Sequence, residues 1–286
     1  MPELPEVETI SRQLNRKLRG KKIVDVKISL PKIVMVTAQK LRQAVVGQKI
    51  VRVYRRAKLV VVELENGCSM IVHLKMTGQL LLAKKRSEAS NHVHVVFDFV
   101  DGSHLFFREV RQFGYIDLLS AAELAELFEK FGPEPLNKNF SPQIFKKRLQ
   151  QRKRSKIKPL LLDPKFLAGI GNIYANEALF FAGINPARTA ASLSDDEIKK
   201  LYNEIIRLLK LSIKVKGCSE TDYVDAYGKK GDFEKYLEVY RKDGEICSQC
   251  HKKKIKRIVL GGRGTFYCPQ CQNYFIRPAK KSKSLL

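Results

Sequence analysis

Four cysteines, spaced Cys247-x2-Cys250-x17-Cys268-x2-Cys271, constrain this chain more than any other feature. Two tight pairs of thiolates can close a tetrahedral metal site, leaving no coordination position for a substrate. The segments between them, 254–260 and 265–267, have strand character, and Gly261-Gly262-Arg263-Gly264 supplies a turn. These residues predict a zinc ribbon that holds one structural zinc and presents Arg263 at its tip. Cys68 and Cys218 stand apart from the pairs, so the set is not a secreted disulfide framework. A zinc ribbon alone is often a binding module and says nothing about catalysis.

Charge narrows the partner. Lys and Arg number 54 against 29 Asp and Glu, a formal charge of +25 over 286 residues. Such an excess works against compaction through self-repulsion, and a polyanionic partner accounts for it. The tail residues Lys280, Lys281 and Lys283 are one part of it, and the dense run 146–158 is expected to face phosphate. The N-terminus is acidic with no apolar stretch, so no signal peptide is predicted, and the apolar runs are too short to span a bilayer. A cytoplasmic, nucleoid-associated monomer is expected.

The pattern along the chain predicts an α+β, multidomain fold. Pro5 and the acids Glu6 and Glu8 open a first helix, Val7, Ile10, Leu14 and Leu18 form its buried stripe, and Gly20 ends it. About eight short strands between 22 and 119, with Asn66-Gly67 and Asp101-Gly102 as hairpin turns, predict a β-sandwich. Beyond Ser120 the chain turns helical, with Ser141-Pro142 and Ser194-Asp195-Asp196-Glu197 as helix starts. Residues 217–231 read as an irregular, mobile loop. The predicted division is a sandwich at 1–120, a connecting helix at 121–140, a helical domain at 141–232, and the ribbon with its basic tail at 233–286.

The opening Met1-Pro2-Glu3-Leu4-Pro5-Glu6 carries possible chemistry. Removal of Met1 makes Pro2 a terminal secondary amine, with a pKa of about 8 against about 10.4 for lysine. At pH 7.5 roughly a quarter or more of such an amine is neutral, compared with about a thousandth for lysine. A neutral amine can attack a sugar C1′, the resulting iminium is an electron sink, and Glu3 adjoins it as a general acid/base. Alone, the segment also fits a plain proline-rich helix entry.

Further segments, in order, make the whole chain resemble the bacterial formamidopyrimidine-DNA glycosylase family. They are Pro2 to Thr9, Arg55-Arg56-Ala57-Lys58, His73-Leu74-Lys75-Met76-Thr77-Gly78, Arg111-Gln112-Phe113-Gly114, Gly132-Pro133-Glu134-Pro135-Leu136, Gly169-Ile170-Gly171-Asn172-Ile173-Tyr174-Ala175 and Arg263-Gly264-Thr265-Phe266-Tyr267-Cys268. The resemblance implies a β-sandwich, a helix–two-turn–helix domain and a zinc ribbon. It implies a glycosylase that removes oxidised purines (8-oxoguanine, formamidopyrimidines) from duplex DNA and an AP lyase that cleaves the abasic strand by β,δ-elimination. Pro2, Glu3, Lys58 and Arg263 would form the catalytic set, with His73, Met76, His92, Arg111, Phe113, Arg154 and Asn172 on the DNA. Met76, Arg111 and Phe113 match residues that fill the gap left by a flipped base.

The family usually has an aspartate where Glu109 stands and a basic residue where Gln112 stands, and the zinc loop is one residue longer here. Residues 217–231 correspond to the loop that covers the flipped base. An endonuclease VIII-like enzyme for oxidised pyrimidines is the alternative, since it shares the proline mechanism. Leu4 and the Arg111/Phe113 pair favour the purine branch, and Pro2, Glu3 and Lys58 argue against an inactive DNA-binding relative.

Overall fold

The computed structural model describes residues 1–274, so Lys280, Lys281 and Lys283 lie outside the described residues. The chain forms two compact units, both discontinuous in sequence. The first comprises Met1–Asn137, Asp163–Gly171 and Arg207–Tyr236; the second comprises Lys138–Leu162, Asn172–Ile206 and the chain from Leu237 onward. Among the described residues no helix is long and apolar enough to cross a membrane.

In the first unit, helix α1 (Leu4–Leu18) starts as its sequence predicts. The Glu6 carboxylate turns back to accept the Glu3 N–H at 2.8 Å, satisfying a donor that an α-helix start leaves open. Val7, Ile10, Leu14 and Leu18 are fully buried, three and four residues apart on one face. Next come β1 (Ile23–Ile28), α2 (Ala38–Val45), β2 (Ile50–Arg56), β3 (Leu59–Leu64), β4 (Ser69–His73), β5 (Gly78–Ala83), β6 (Val93–Phe99), β7 (His104–Glu109), β8 (Tyr115–Leu119) and α3 (Ala121–Glu129).

The eight strands form two antiparallel four-stranded sheets, ordered β1-β6-β7-β5 and β2-β3-β4-β8. Strand β3 is apolar on both faces, and its alternation shows why. Val60 and Val62 enter the main core, whereas Leu59 and Val61 point the other way into a second cluster with Leu124 of α3. Each such buried side chain contributes roughly 1.5–3 kcal/mol over its exposed state.

Residues 217–231 are irregular, as expected, but they are tied down by specific bonds. Gln13 of α1 donates to the Asp225 carboxylate at 2.8 Å and accepts from the Ala226 N–H at 2.9 Å. Leu82 N–H reaches the Ala226 carbonyl at 2.9 Å, and Tyr223 and Ala226 belong to the sandwich core. Two core residues scattered in a turn-rich stretch produce no readable periodicity, so the sequence suggests mobility where the fold has anchors.

The second unit contains α4 (Pro142–Gln151), α5 (Ile157–Leu162), α6 (Asn172–Ala182) and most of α7 (Asp195–Lys214), followed by β9 (Lys256–Leu260) and β10 (Arg263–Tyr267). Ser141 Oγ caps α4 through the Ile144 N–H at 3.3 Å. Ser194 and Glu197 form the capping box of α7, with bonds of 2.8 and 3.3 Å. The β9–β10 hairpin turns on Gly261 and Gly262, at φ +58° and +71°, a geometry that favours glycine at both central positions. Arg263 therefore pairs with Leu260 as the first residue of β10, one position past the turn and not at its apex.

Candidate active site

Pro2 and Glu3 are buried at the entry to α1. The Leu4 N–H donates to the Gly169 carbonyl at 3.0 Å, and the Gly171 N–H donates to Glu3 Oε2 at 2.7 Å. A Cβ on Gly169 would lie 2.7 Å from Leu4 Cδ1, and one on Gly171 would collide with the Glu3 carboxyl. The glycines thus let one backbone segment press against the first residues of the chain and orient the Glu3 carboxylate.

Strand register gathers the other first-unit residues at one end of the sandwich. Leu59 pairs with His73 and His73 with Tyr115, placing Lys58, His73 and the Arg111–Gly114 turn together. In the other sheet Gly78 pairs with Glu109 and Val93 with Arg108, bringing Met76 and His92 to the matching strand ends. His92 is exposed, at φ +70°.

His73 Nδ1 accepts the Lys75 N–H at 2.9 Å, so the neutral ring carries its proton on Nε2. Burial, aided by the charges of Lys75 and Lys58, lowers its pKa from 6.5 to about 3. His73 is therefore a neutral hydrogen-bond donor at physiological pH. Arg55 and Arg56, which precede Lys58, both bind the Glu134 carboxylate, and Arg55 also binds Glu8. These two arginines support the turn at Ala57, where φ is +54°.

Met76, Arg111 and Phe113 form one exposed cluster. Arg111 Nη1 donates to Met76 Sδ at 3.1 Å, and its guanidinium lies 5.2 Å from the Phe113 ring centroid. Phe113 is 60% exposed, which sets aside a core-packing role for it. An exposed aromatic beside an arginine offers a stacking surface with a hydrogen-bonding edge.

In the second unit, Asn172 Nδ2 donates to the Gly264 carbonyl at 3.0 Å. Lys158 Nζ donates to the same carbonyl at 3.0 Å and to Thr265 Oγ1 at 2.7 Å. Lys158 is fully buried, so although its run reads as facing phosphate, this lysine instead holds the residues after Arg263. Arg154 and Arg263 are exposed. Glu177, also buried, accepts the N–H groups of Glu238, Val239 and Tyr240 at 2.8–3.0 Å, anchoring the turn that leads to the cysteines.

Cys247, Cys250, Cys268 and Cys271 are free thiols whose sulphurs all lie within 4.8 Å of one another. Zinc–sulphur bonds of about 2.3 Å in a tetrahedron place sulphurs about 3.8 Å apart. The separations Cys247–Cys271 and Cys250–Cys268 are 3.8 and 3.7 Å. Burial raises the pKa of Cys268 and Cys271, whereas amides of Lys252 and Lys253 lower that of Cys250 to about 6. A bound dication favours the thiolate at all four. The site fits zinc, with no position left for a reacting ligand.

Comparison with known proteins gives the family. Residues 1–116 match the formamidopyrimidine-DNA glycosylase N-terminal domain, 131–223 its H2TH domain, and 244–273 the zinc finger found in FPG and IleRS. The formamidopyrimidine-DNA glycosylase of Carboxydothermus hydrogenoformans is 44% identical over 273 residues, 95% of this chain and 100% of the relative. The chain belongs to the formamidopyrimidine-DNA glycosylase family. The enzyme of that name from Pelotomaculum thermopropionicum is 42% identical over 95% of this chain and 99% of its own length. Lactococcus lactis Fpg in complex with abasic-site DNA has TM-score 0.88 at 36% identity, covering 95% of this chain and 99% of that one. The same organism's Fpg with Fapy-dG DNA gives 0.87 at 35%, covering 95% and 100%. This family member therefore has the expected sandwich, helical region and four-cysteine structural zinc site.

Sequence reasoning missed Glu134, Lys158, Glu177 and the role of Glu109. Glu134 lay within a family segment, Gly132 to Leu136, Glu109 stood out as an acidic position beside Arg111, Lys158 sat in a basic run that suggested a different role, and Glu177 had no local signal.

Proposed function

We propose that this chain performs base-excision repair, removing oxidised purines from duplex DNA and cleaving the abasic strand by β,δ-elimination. The observation that carries this reading is the clamped entry to α1. Gly169 and Gly171 hold Leu4 and Glu3 so that the atom preceding them, the Pro2 nitrogen, has a fixed origin. Membership of the glycosylase family favours the oxidised-purine reading over the pyrimidine one.

In the proposed sequence, Met1 is removed and the neutral Pro2 amine attacks C1′. The bond to the base breaks and its electrons leave with the base. Glu3 takes the N–H proton left on the Pro2 ammonium and delivers it to the sugar ring oxygen as the C1′–O bond breaks and the ring opens to an iminium. The iminium makes the C2′ proton acidic; its loss expels the 3′ phosphate, and a second elimination expels the 5′ phosphate. Lys58, His73, His92, Arg154, Asn172 and Arg263 contact the backbone, His73 as a neutral donor. Met76, Arg111 and Phe113 occupy the gap beside the orphan base. Zinc holds the ribbon in shape and takes no part in these steps. The division at 120, 140 and 232, a monomeric state, and a cytoplasmic location on nucleoid DNA complete the proposal.

Borohydride reduction during reaction with an 8-oxoguanine duplex tests it. The expected product is a covalent crosslink mapped by mass spectrometry to Pro2. Pro2→Gly should retain weak trapping through a primary amine, and an N-terminal extension should abolish it. A crosslink on a lysine would overturn the assignment.

A further inference from the structure

The Glu109 side chain is fully buried and ends between two loops of the same unit. Oε1 accepts the Arg111 N–H at 3.0 Å and the Thr77 hydroxyl; Oε2 accepts the Gly114 N–H at 2.8 Å. The Arg111 N–H is shared with Thr77 Oγ1 at 3.1 Å. The Glu109 backbone is held as well, since its N–H donates to the His92 carbonyl at 3.0 Å and its carbonyl lies 3.1 Å from His94 Nε2. A Cβ on Gly114 would run into the carboxylate, so this turn closes directly onto it.

One carboxylate therefore joins both ends of the Arg111–Gly114 turn to the residue following Met76. Its bonded partners are neutral donors among the described residues. A carboxylate is costly to bury, and it provides two acceptor atoms at a fixed spacing that a neutral side chain of this size does not.

We infer that Glu109 is a positioning residue that aligns Met76, Arg111 and Phe113 for reading the orphan base. The inference rests on the proposed role of those three residues and extends it to a group with no access to DNA. The acid acts before DNA arrives. It fixes the turn so that Phe113 and Arg111 project without needing to be ordered on binding, which reduces the entropic cost of the opened complex.

The test compares wild type, Glu109→Gln, Glu109→Asp and Thr77→Val on a duplex with 8-oxoguanine opposite cytosine, the same lesion opposite adenine, and a pre-formed abasic site. Glutamine keeps the shape but turns an N–H group toward an amide donor. Glu109→Gln should slow single-turnover excision about tenfold or more, the scale of a small misplacement of a positioning group. Trapping on abasic DNA should change by less than about threefold, and the ratio of excision opposite cytosine to that opposite adenine should move toward one. Glu109→Asp keeps both acceptors and should recover most of the rate. Thr77→Val should fall between, and it reports on the same link if the glutamine variant does not fold. Wild-type excision and base ratio in the variants would overturn the inference, as would a parallel loss of excision and abasic trapping with no rescue by aspartate. If wild type itself gives no crosslink on any of the three DNAs, the proposed function fails and the inference with it.

Discussion

Glu134 grips Arg55 with both carboxylate oxygens, at 2.8 and 2.7 Å, and Arg55 reaches on to Glu8 at 2.8 Å. The same carboxylate accepts the Ala57 N–H at 2.6 Å, immediately before Lys58. Burial opposes ionisation of Glu134, but the Arg55 guanidinium, the Ala57 N–H and Arg56 together outweigh it and hold the carboxyl below its ordinary 4.5.

Leaving a buried charge wholly uncompensated costs about 3–5 kcal/mol, and Glu8, still paired with Arg55, keeps the loss of Glu134 below that. Glu134→Gln should therefore lower unfolding stability in urea at pH 7 and reduce abasic trapping, because Lys58 loses its support. With the folded pKa depressed, the Glu134 contribution is complete above 4.5 and is lost as pH falls below it. The gap between wild type and variant should accordingly narrow at low pH. A constant gap from pH 7 to 3 would count against the ionised pair.

His73 gives the opposite experiment. Its folded pKa of about 3 lies below the ordinary 6.5, so the unfolded chain binds a proton that the native one refuses. His73 thus costs no stability above pH 6.5 and progressively destabilises the fold as pH falls toward 3, on the order of a few kcal/mol. His73→Gln should flatten that part of the stability–pH curve. In wild type, an NMR titration should find the His73 ring neutral throughout pH 5–8. A ring that titrates near 6.5 would rule out the buried, neutral donor.

Zinc removal should act through geometry. One zinc per chain is expected, and Cys250→Ser should weaken DNA binding by displacing Arg263 on the hairpin. Lys158 and Asn172, both on the Gly264 carbonyl, should limit the displacement, leaving α4 to α7 folded by circular dichroism. Full activity after verified metal removal would contradict the structural role.

Salt dependence separates phosphate contacts from the wedge. Lys58→Ala or Arg263→Ala should reduce the slope of log affinity against log salt by about one unit on lesion and undamaged DNA alike. Phe113→Ala should leave that slope and undamaged binding nearly unchanged, yet slow excision of a lesion paired with cytosine, where opening the stack costs a few kcal/mol. Equal weakening on both DNAs would remove the wedge assignment.

Features encoded by neighbouring residues were legible in the sequence. The apolar stripe of α1, the Asn66-Gly67 turn, the caps at Ser141 and Ser194 and the cysteine spacing each predict an element that the structure contains. Most supports of the candidate site were not legible, because they are single polar residues paired across a long stretch of chain. Lys158 meets Gly264 across 106 positions, and Arg55 meets Glu134 across 79. No period or spacing announces such partners. Lys158, in a basic run, looks like a surface charge until the fold encloses it.

The sandwich core includes Tyr223 and Ala226, and this affects how the protein is made. A ribosome that has released all eight strands still retains the residues that close their core. The nascent sandwich must wait, with part of its apolar interior uncovered, until nearly 240 residues have emerged. Chain synthesis at roughly 5–20 residues per second makes that wait several seconds. A truncation after β8 should therefore be prone to aggregate, and the segment that seals the core should mark the last step at which the first unit becomes resistant to proteolysis.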